Sequence, residues 1–232
     1  MALTPQNQEV FFREVDEELR REQLTGWWRR YGVLMILAVV LLLAALGGYL
    51  WWDSERAKAR DAASEQFSTA LDSVAAGNAA AATKTFDEMA AGDNAGYRAL
   101  SQLALAGQKL DAGDAAGAAK AYDAIAADQK VSQPVRDLAL LRGTAAAFDQ
   151  LKPEQVIERL KPLAVAGEPW FGSAAEMTAA AWIKLNQPAK AAPLLAALAK
   201  DKQVPESIRA RAERLASSLG ASPAADVAPE KE

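Results

Sequence analysis

The side chains that most often carry catalysis are missing from this sequence, which contains no histidine and no cysteine. Their absence removes Ser–His relays, thiol nucleophiles, disulfides and the usual zinc sites, all of which need imidazole or thiolate. Carboxylates, lysines and arginines remain, and their spacing points to solvated helix faces. Glu14, Glu17 and Glu18 fall close together, but Asp16 with Arg20 and Glu17 with Arg21 are acid-before-base pairs four residues apart. Such pairs support an exposed helix and do not isolate a general acid or base. Arg209, Arg211 and Arg214 read as the wet face of a final helix, not as an anion site. Trp170 and Phe171, between Gly167 and Gly172, read as a packing pair at a helix start. No enzyme activity, cofactor or metal is expected. With 26 basic against 30 acidic residues and a net charge of −4, no phosphate-tracking face is expected either, so nucleic acid is not a partner.

The elements around these residues are helical. Alanine dominates the 51% hydrophobic fraction while aromatics supply only 7%, a mixture that suits close helix packing better than strands. The fold class expected is all-α, with one N-terminal transmembrane helix followed by a helical-hairpin solenoid. The 19-residue run from Gly32 to Leu50 carries no charge. As a helix it covers about 28 Å, close to the ~30 Å of bilayer hydrocarbon. Trp27, Trp28 and Tyr31 flank one end and Trp51 and Trp52 the other, where interfacial aromatics anchor a span. Arg13, Arg20, Arg21, Arg29 and Arg30 precede it, against Arg56, Lys58 and Arg60 behind, so the N-terminus is expected in the cytoplasm. Ala44 and Gly48 make a small-xxx-small pair that lets another helix approach. Ahead of the span, Asn7 to Leu24 reads as a short amphipathic helix with Phe11, Val15 and Leu19 on the face a cytoplasmic partner or membrane surface would cover. The domains expected are 1–30 cytoplasmic, 31–52 transmembrane, 53–219 repeats and 220–232 a disordered tail.

Behind the span the sequence repeats. Gly77, Gly113, Leu151 and Asn186 serve as equivalent turn positions, spaced by 36, 38 and 35 residues. Seven before each stands a small residue (Ala70, Ala106, Thr144, Ala179), and three before an apolar one (Val74, Leu110, Phe148, Ile183). Five after each come Ala82, Ala118, Val156 and Ala191, and nine after come Phe86, Tyr122, Leu160 and Leu195. Twelve after come Met89, Ile125, Leu163 and Leu198. Small residues on both sides of a turn let two antiparallel helices cross closely, and the larger apolar positions are expected to fill the seam. Pro153 and Pro188 suit the first turn of a second helix. Four hairpins and a last helix from Pro205 to Leu219 follow, stacked because one hairpin cannot bury both faces. The spacing resembles the tetratricopeptide repeat of about 34 residues, without its Trp-x-x-Leu-Gly signature.

The stretch from Phe12 to Leu24, which contains EVDEELRREQ, is followed by Trp28, Tyr31 and Gly32, a single span and an Ala-rich repeat region. That layout resembles the bacterial ancillary SecYEG translocon subunit family, over roughly residues 8–219. The resemblance implies a cell inner membrane location, a periplasmic repeat domain, and Sec translocon subunits and a membrane-anchored periplasmic chaperone as partners. It implies a non-enzymatic adaptor. The alternative is an envelope-assembly scaffold unrelated to secretion.

Overall fold

A computed structural model describes the backbone of residues 5–220 and the side chains of residues 29–220. The side chains of Phe11, Val15, Leu19, Trp27 and Trp28 lie outside the described residues, as does the expected tail beyond Gly220. The described elements are all helical: α1 (Pro5–Ala75), α2 (Ala79–Ala90), α3 (Ala95–Asp111), α4 (Ala115–Ala127), α5 (Gln133–Ala146), α6 (Pro153–Leu160), α7 (Phe171–Lys184), α8 (Pro188–Lys200) and α9 (Glu206–Ser218). The short helix expected over Asn7–Leu24 is part of the 71-residue α1. No proline follows Pro5 until Pro134, and the α1 glycines each cost only about 1 kcal/mol without a capping turn, so nothing stops the helix.

The chain divides into two units, Met1–Asp61 and Ala62–Glu232. In the first, the apolar face of α1 has no protein cover. Val33 is 79% exposed, Leu42 65% and Trp51 69%. Among the described residues one helix is long and apolar enough to cross a membrane. Each large aliphatic side chain left in water forgoes about 1.5–3 kcal/mol of burial, so such a surface calls for an apolar environment.

In the second unit, the sequence sets the ends of each helix. Asn94 accepts from Gly96 N and Tyr97 N at 3.2 and 3.3 Å, and Asp114 accepts from Gly117 N at 2.8 Å. Both side chains satisfy amides that have no partner inside the helix. Gly77 (φ 78°), Gly113 (φ 83°) and Asn186 (φ 56°) take the left-handed conformation that ends a first helix. In each case the next residue's N–H reaches back five residues: Asn78 to Ser73 O at 2.8 Å, Asp114 to Lys109 O at 2.9 Å, Gln187 to Trp182 O at 2.9 Å. The same closing motif thus recurs three times. Leu151 departs from it. It has no positive φ, its N–H donates to Ala147 O at 2.9 Å, and α5 has already ended at Ala146. A leucine Cβ penalises the left-handed state, so a longer irregular turn replaces the glycine stop.

The hairpin seams match the periodicity. Ala70, Ala106, Thr144 and Ala179 are at most 1% exposed, as are Ala82, Ala118, Val156 and Ala191 on the facing helices. Phe86, Tyr122, Leu160 and Leu195 are equally enclosed, and Met89, Ile125, Leu163 and Leu198 reach at most 9%. Four clusters follow one another along the stack, from Phe86 with Ala70 and Phe67 to Leu195 with Phe171 and Ala216. The row three before the turn behaves differently. Val74, Phe148 and Ile183 are half-buried and pack against the edges of their clusters, whereas Leu110 is 40% exposed and joins none, so this row borders the seam and opens at Leu110.

Candidate functional site

Within the second unit the first and second helices of the hairpins are not equivalent. Among α2–α9, first helices touch across repeats: α3 meets α5, α5 meets α7, and α7 meets α9. No two second helices of that set bring their backbones as close together. Closer spacing between first helices makes theirs the inner layer, the surface where a stacked-hairpin domain receives a partner. The half-exposed apolar row lies on these helices or in the turns that end them.

Polar side chains stitch the layers together at a spacing of one repeat. Arg159 on α6 donates from its guanidinium to Asp123 on α4, and its Nε lies 3.0 Å from Thr144 Oγ1 on α5. Lys184 Nζ on α7 donates to Asp149 Oδ1 at 2.9 Å and stands 4.4 Å from the centroid of the Phe148 ring. Arg211 on α9 grips Glu176 on α7 with two parallel bonds, Nε to Oε1 at 2.7 Å and the terminal nitrogen to Oε2 at 2.8 Å. The separations are 36, 35 and 35 residues. The hydrogen bond from Arg211 to Glu176, with the carboxylate charge adding to it, raises the guanidinium pKa above its ordinary range; desolvation opposes this.

These contacts revise one expectation and support another. The wet-face reading of Arg209, Arg211 and Arg214 holds only in part: Arg211 ties the last helix to α7, and Arg209 Nε is buried without a hydrogen-bond partner. An open cleft of about 350 Å³ lies beside the clamp, lined by Glu176, Arg214, Leu215 and Ser218 among others. The aromatic pair at the start of α7 packs as expected. Phe171 is 2% exposed in the last core cluster, and Trp170 lies against the Leu141–Val156–Leu160 cluster.

Of the residues expected to anchor the span, those that the structure describes are all on α1. Tyr31, Trp51 and Trp52 are 40%, 69% and 48% exposed, and the Arg56 guanidinium stacks 3.6 Å over the Trp52 ring. Ala44 and Gly48 are exposed, and a Cβ added to Gly48 would meet nothing within 4 Å. Among the described residues no group of three or more carboxylates could hold a metal ion. The repeat-to-repeat ion pairs escaped sequence reading. Their signal was present in the 35–36-residue spacing of Asp123 with Arg159, Asp149 with Lys184 and Glu176 with Arg211.

Comparison with known proteins agrees with this architecture. Neither the curated proteins nor the solved structures gave a match. A model of the tetratricopeptide repeat-like domain matches residues 25–217, which takes in the apolar stretch of α1 and every hairpin. Domains of this type bind other proteins and are typically non-catalytic. The chain belongs to the tetratricopeptide repeat-like domain family.

Proposed function

We propose that this protein is a membrane-anchored adaptor whose repeats hold other proteins at the outer face of the bacterial inner membrane. The observation that carries the reading is the joining of an uncovered apolar helix to a stacked-hairpin domain in one chain. Gly32 to Leu50 crosses the bilayer, with Trp27, Trp28 and Tyr31 at the cytoplasmic interface and Trp51 and Trp52 at the other. The basic residues ahead of the span keep the N-terminus inside. Residues 1–30 are then the cytoplasmic segment, 31–52 the anchor and 53–219 the periplasmic domain. Phe11, Val15 and Leu19 form the face for a cytoplasmic partner, and Ala44 and Gly48 the face for a neighbouring span.

The resemblance of the EVDEELRREQ stretch and the overall layout to the ancillary SecYEG translocon subunit supplies the partners. They are Sec channel subunits and a membrane-anchored periplasmic chaperone. Tethering two proteins to one membrane gives them an effective concentration on the order of millimolar, so weak contacts to the repeats suffice. Crosslinking in native membranes followed by affinity capture of the full chain tests the assignment. Recovery of translocon subunits and a periplasmic folding factor is expected. Recovery of envelope-assembly proteins alone would replace it with the scaffold reading, and recovery of neither group would remove both.

A further inference from the structure

One sequence motif recurs before two turns: Leu110 and Asp111 close α3, whereas Phe148 and Asp149 lie just past the end of α5. Phe148 and Asp149 stand three and two residues before the turn position Leu151, and Leu110 and Asp111 stand three and two before Gly113. At the first of these the molecule supplies its own cation. Lys184 Nζ lies 2.9 Å from Asp149 and 4.4 Å from the Phe148 ring centroid, bridging from the next repeat. Lys184 itself stands two before its turn position, Asn186. The residue at that place in the repeat after Leu110–Asp111 is Asp149, a second carboxylate. Among the described residues Asp111 is exposed and makes no ion pair. Lys109 lies about 200° around α3 from it and cannot serve. Next to Asp111 in the chain, Leu110 is 40% exposed, and Leu100, about three turns back on the same side of α3, is 39% exposed.

We propose that Leu110 and Asp111 form a docking subsite for a basic-apolar segment of a partner polypeptide. Its Lys or Arg pairs with Asp111 as Lys184 pairs with Asp149, and its apolar side chains cover Leu110 and Leu100. The charge assignment follows from complementarity. An acidic segment would set a carboxylate against Asp111, which has no cation of its own among the described residues, whereas a basic one supplies to it what Lys184 supplies to Asp149. This inference rests on the repeat domain being a protein-binding module and specifies what that module selects.

The test uses the full chain in nanodiscs of zwitterionic phosphatidylcholine, with empty discs as control. Two fluorescent twelve-residue peptides are titrated, one alternating Leu and Lys, the other Leu and Glu. The Leu–Lys peptide should bind at least tenfold more tightly. Asp111→Lys should weaken it at least tenfold and strengthen the Leu–Glu peptide, with the melting curve unchanged; Asp111→Asn should give a smaller loss of the same sign. Equal affinity for the two peptides, or indifference of the Leu–Lys peptide to both Asp111 variants, overturns the assignment. Capture of partners from native membranes is read separately, so the adaptor reading survives or fails independently of this charge preference.

Discussion

Leu195 and Leu110 offer the same chemical change in two surroundings. Leu195 is completely enclosed in the last core cluster, between Ala191, Leu198, Ala212 and their neighbours. Its truncation to alanine removes buried methyl groups and leaves a cavity, which costs about 3 kcal/mol within a range of about 2–5. Leu110 is 40% exposed, and the space vacated by truncation fills with water, not a void. Scaling the roughly 1.5–3 kcal/mol for full burial of a leucine by its covered share, and discounting the methyl that alanine keeps, gives about 1 kcal/mol. For a domain of this size, each kcal/mol moves the melting temperature by about 2–4 °C. Leu195→Ala should therefore lower the transition by about 6–12 °C and Leu110→Ala by about 2–4 °C, followed by far-ultraviolet circular dichroism of the full chain in nanodiscs. Leu110→Ala should also lose affinity for the Leu–Lys peptide, which Leu195→Ala should retain while folded. Equal destabilisation by the two variants would refute the division of the hairpin into a seam row and an open row.

Other substitutions probe the joints between repeats. A Cβ on Gly143 would lie 3.0 Å from both Asp123 Oδ1 and Tyr122 Cβ, so Gly143→Ala should destabilise by about 1–3 kcal/mol in urea titration, although alanine favours helices. Arg159→Leu removes the bonds to Asp123 and Thr144 at a half-covered site and should cost about 1 kcal/mol; the gap from wild type should narrow in 1 M NaCl as the ion pair is screened. The raised Arg211 pKa has a defined sign. A base held above its unfolded value stabilises at every pH below that value and loses the benefit only as pH rises through the folded one. The titration of Arg211 should therefore leave the Arg211→Met deficit flat between about pH 6 and pH 10, and a deficit that vanished within that window would contradict the clamp.

Much of the repeat architecture could be read from residue spacing, for a physical reason. A glycine or asparagine that ends one helix and a small residue seven before it are constraints on backbone conformation and close approach, so they appear as residue types. Gly77, Gly113 and Asn186 took the left-handed state that their types allow. Leu151 was placed in the same series by its spacing alone, and there the backbone takes another route. The row at Val74, Leu110, Phe148 and Ile183 was apolar in every repeat, but apolarity does not say which side of a helix the next repeat covers. That depended on the tighter approach of the first helices, a property of the stack and not of any single hairpin. Arg211 looked like one of three solvated arginines because its partner Glu176 lies 35 residues away on another helix. The length of α1 was hidden because the sequence changes character twice along it while offering no stop signal before Gly77.

The central claim is that the uncharged stretch of α1 lies in lipid and tethers the repeats. Extraction of native membranes with alkaline carbonate tests it most directly. The full-length chain should remain with the sedimented bilayer, and its appearance in the supernatant with peripheral proteins would contradict the account.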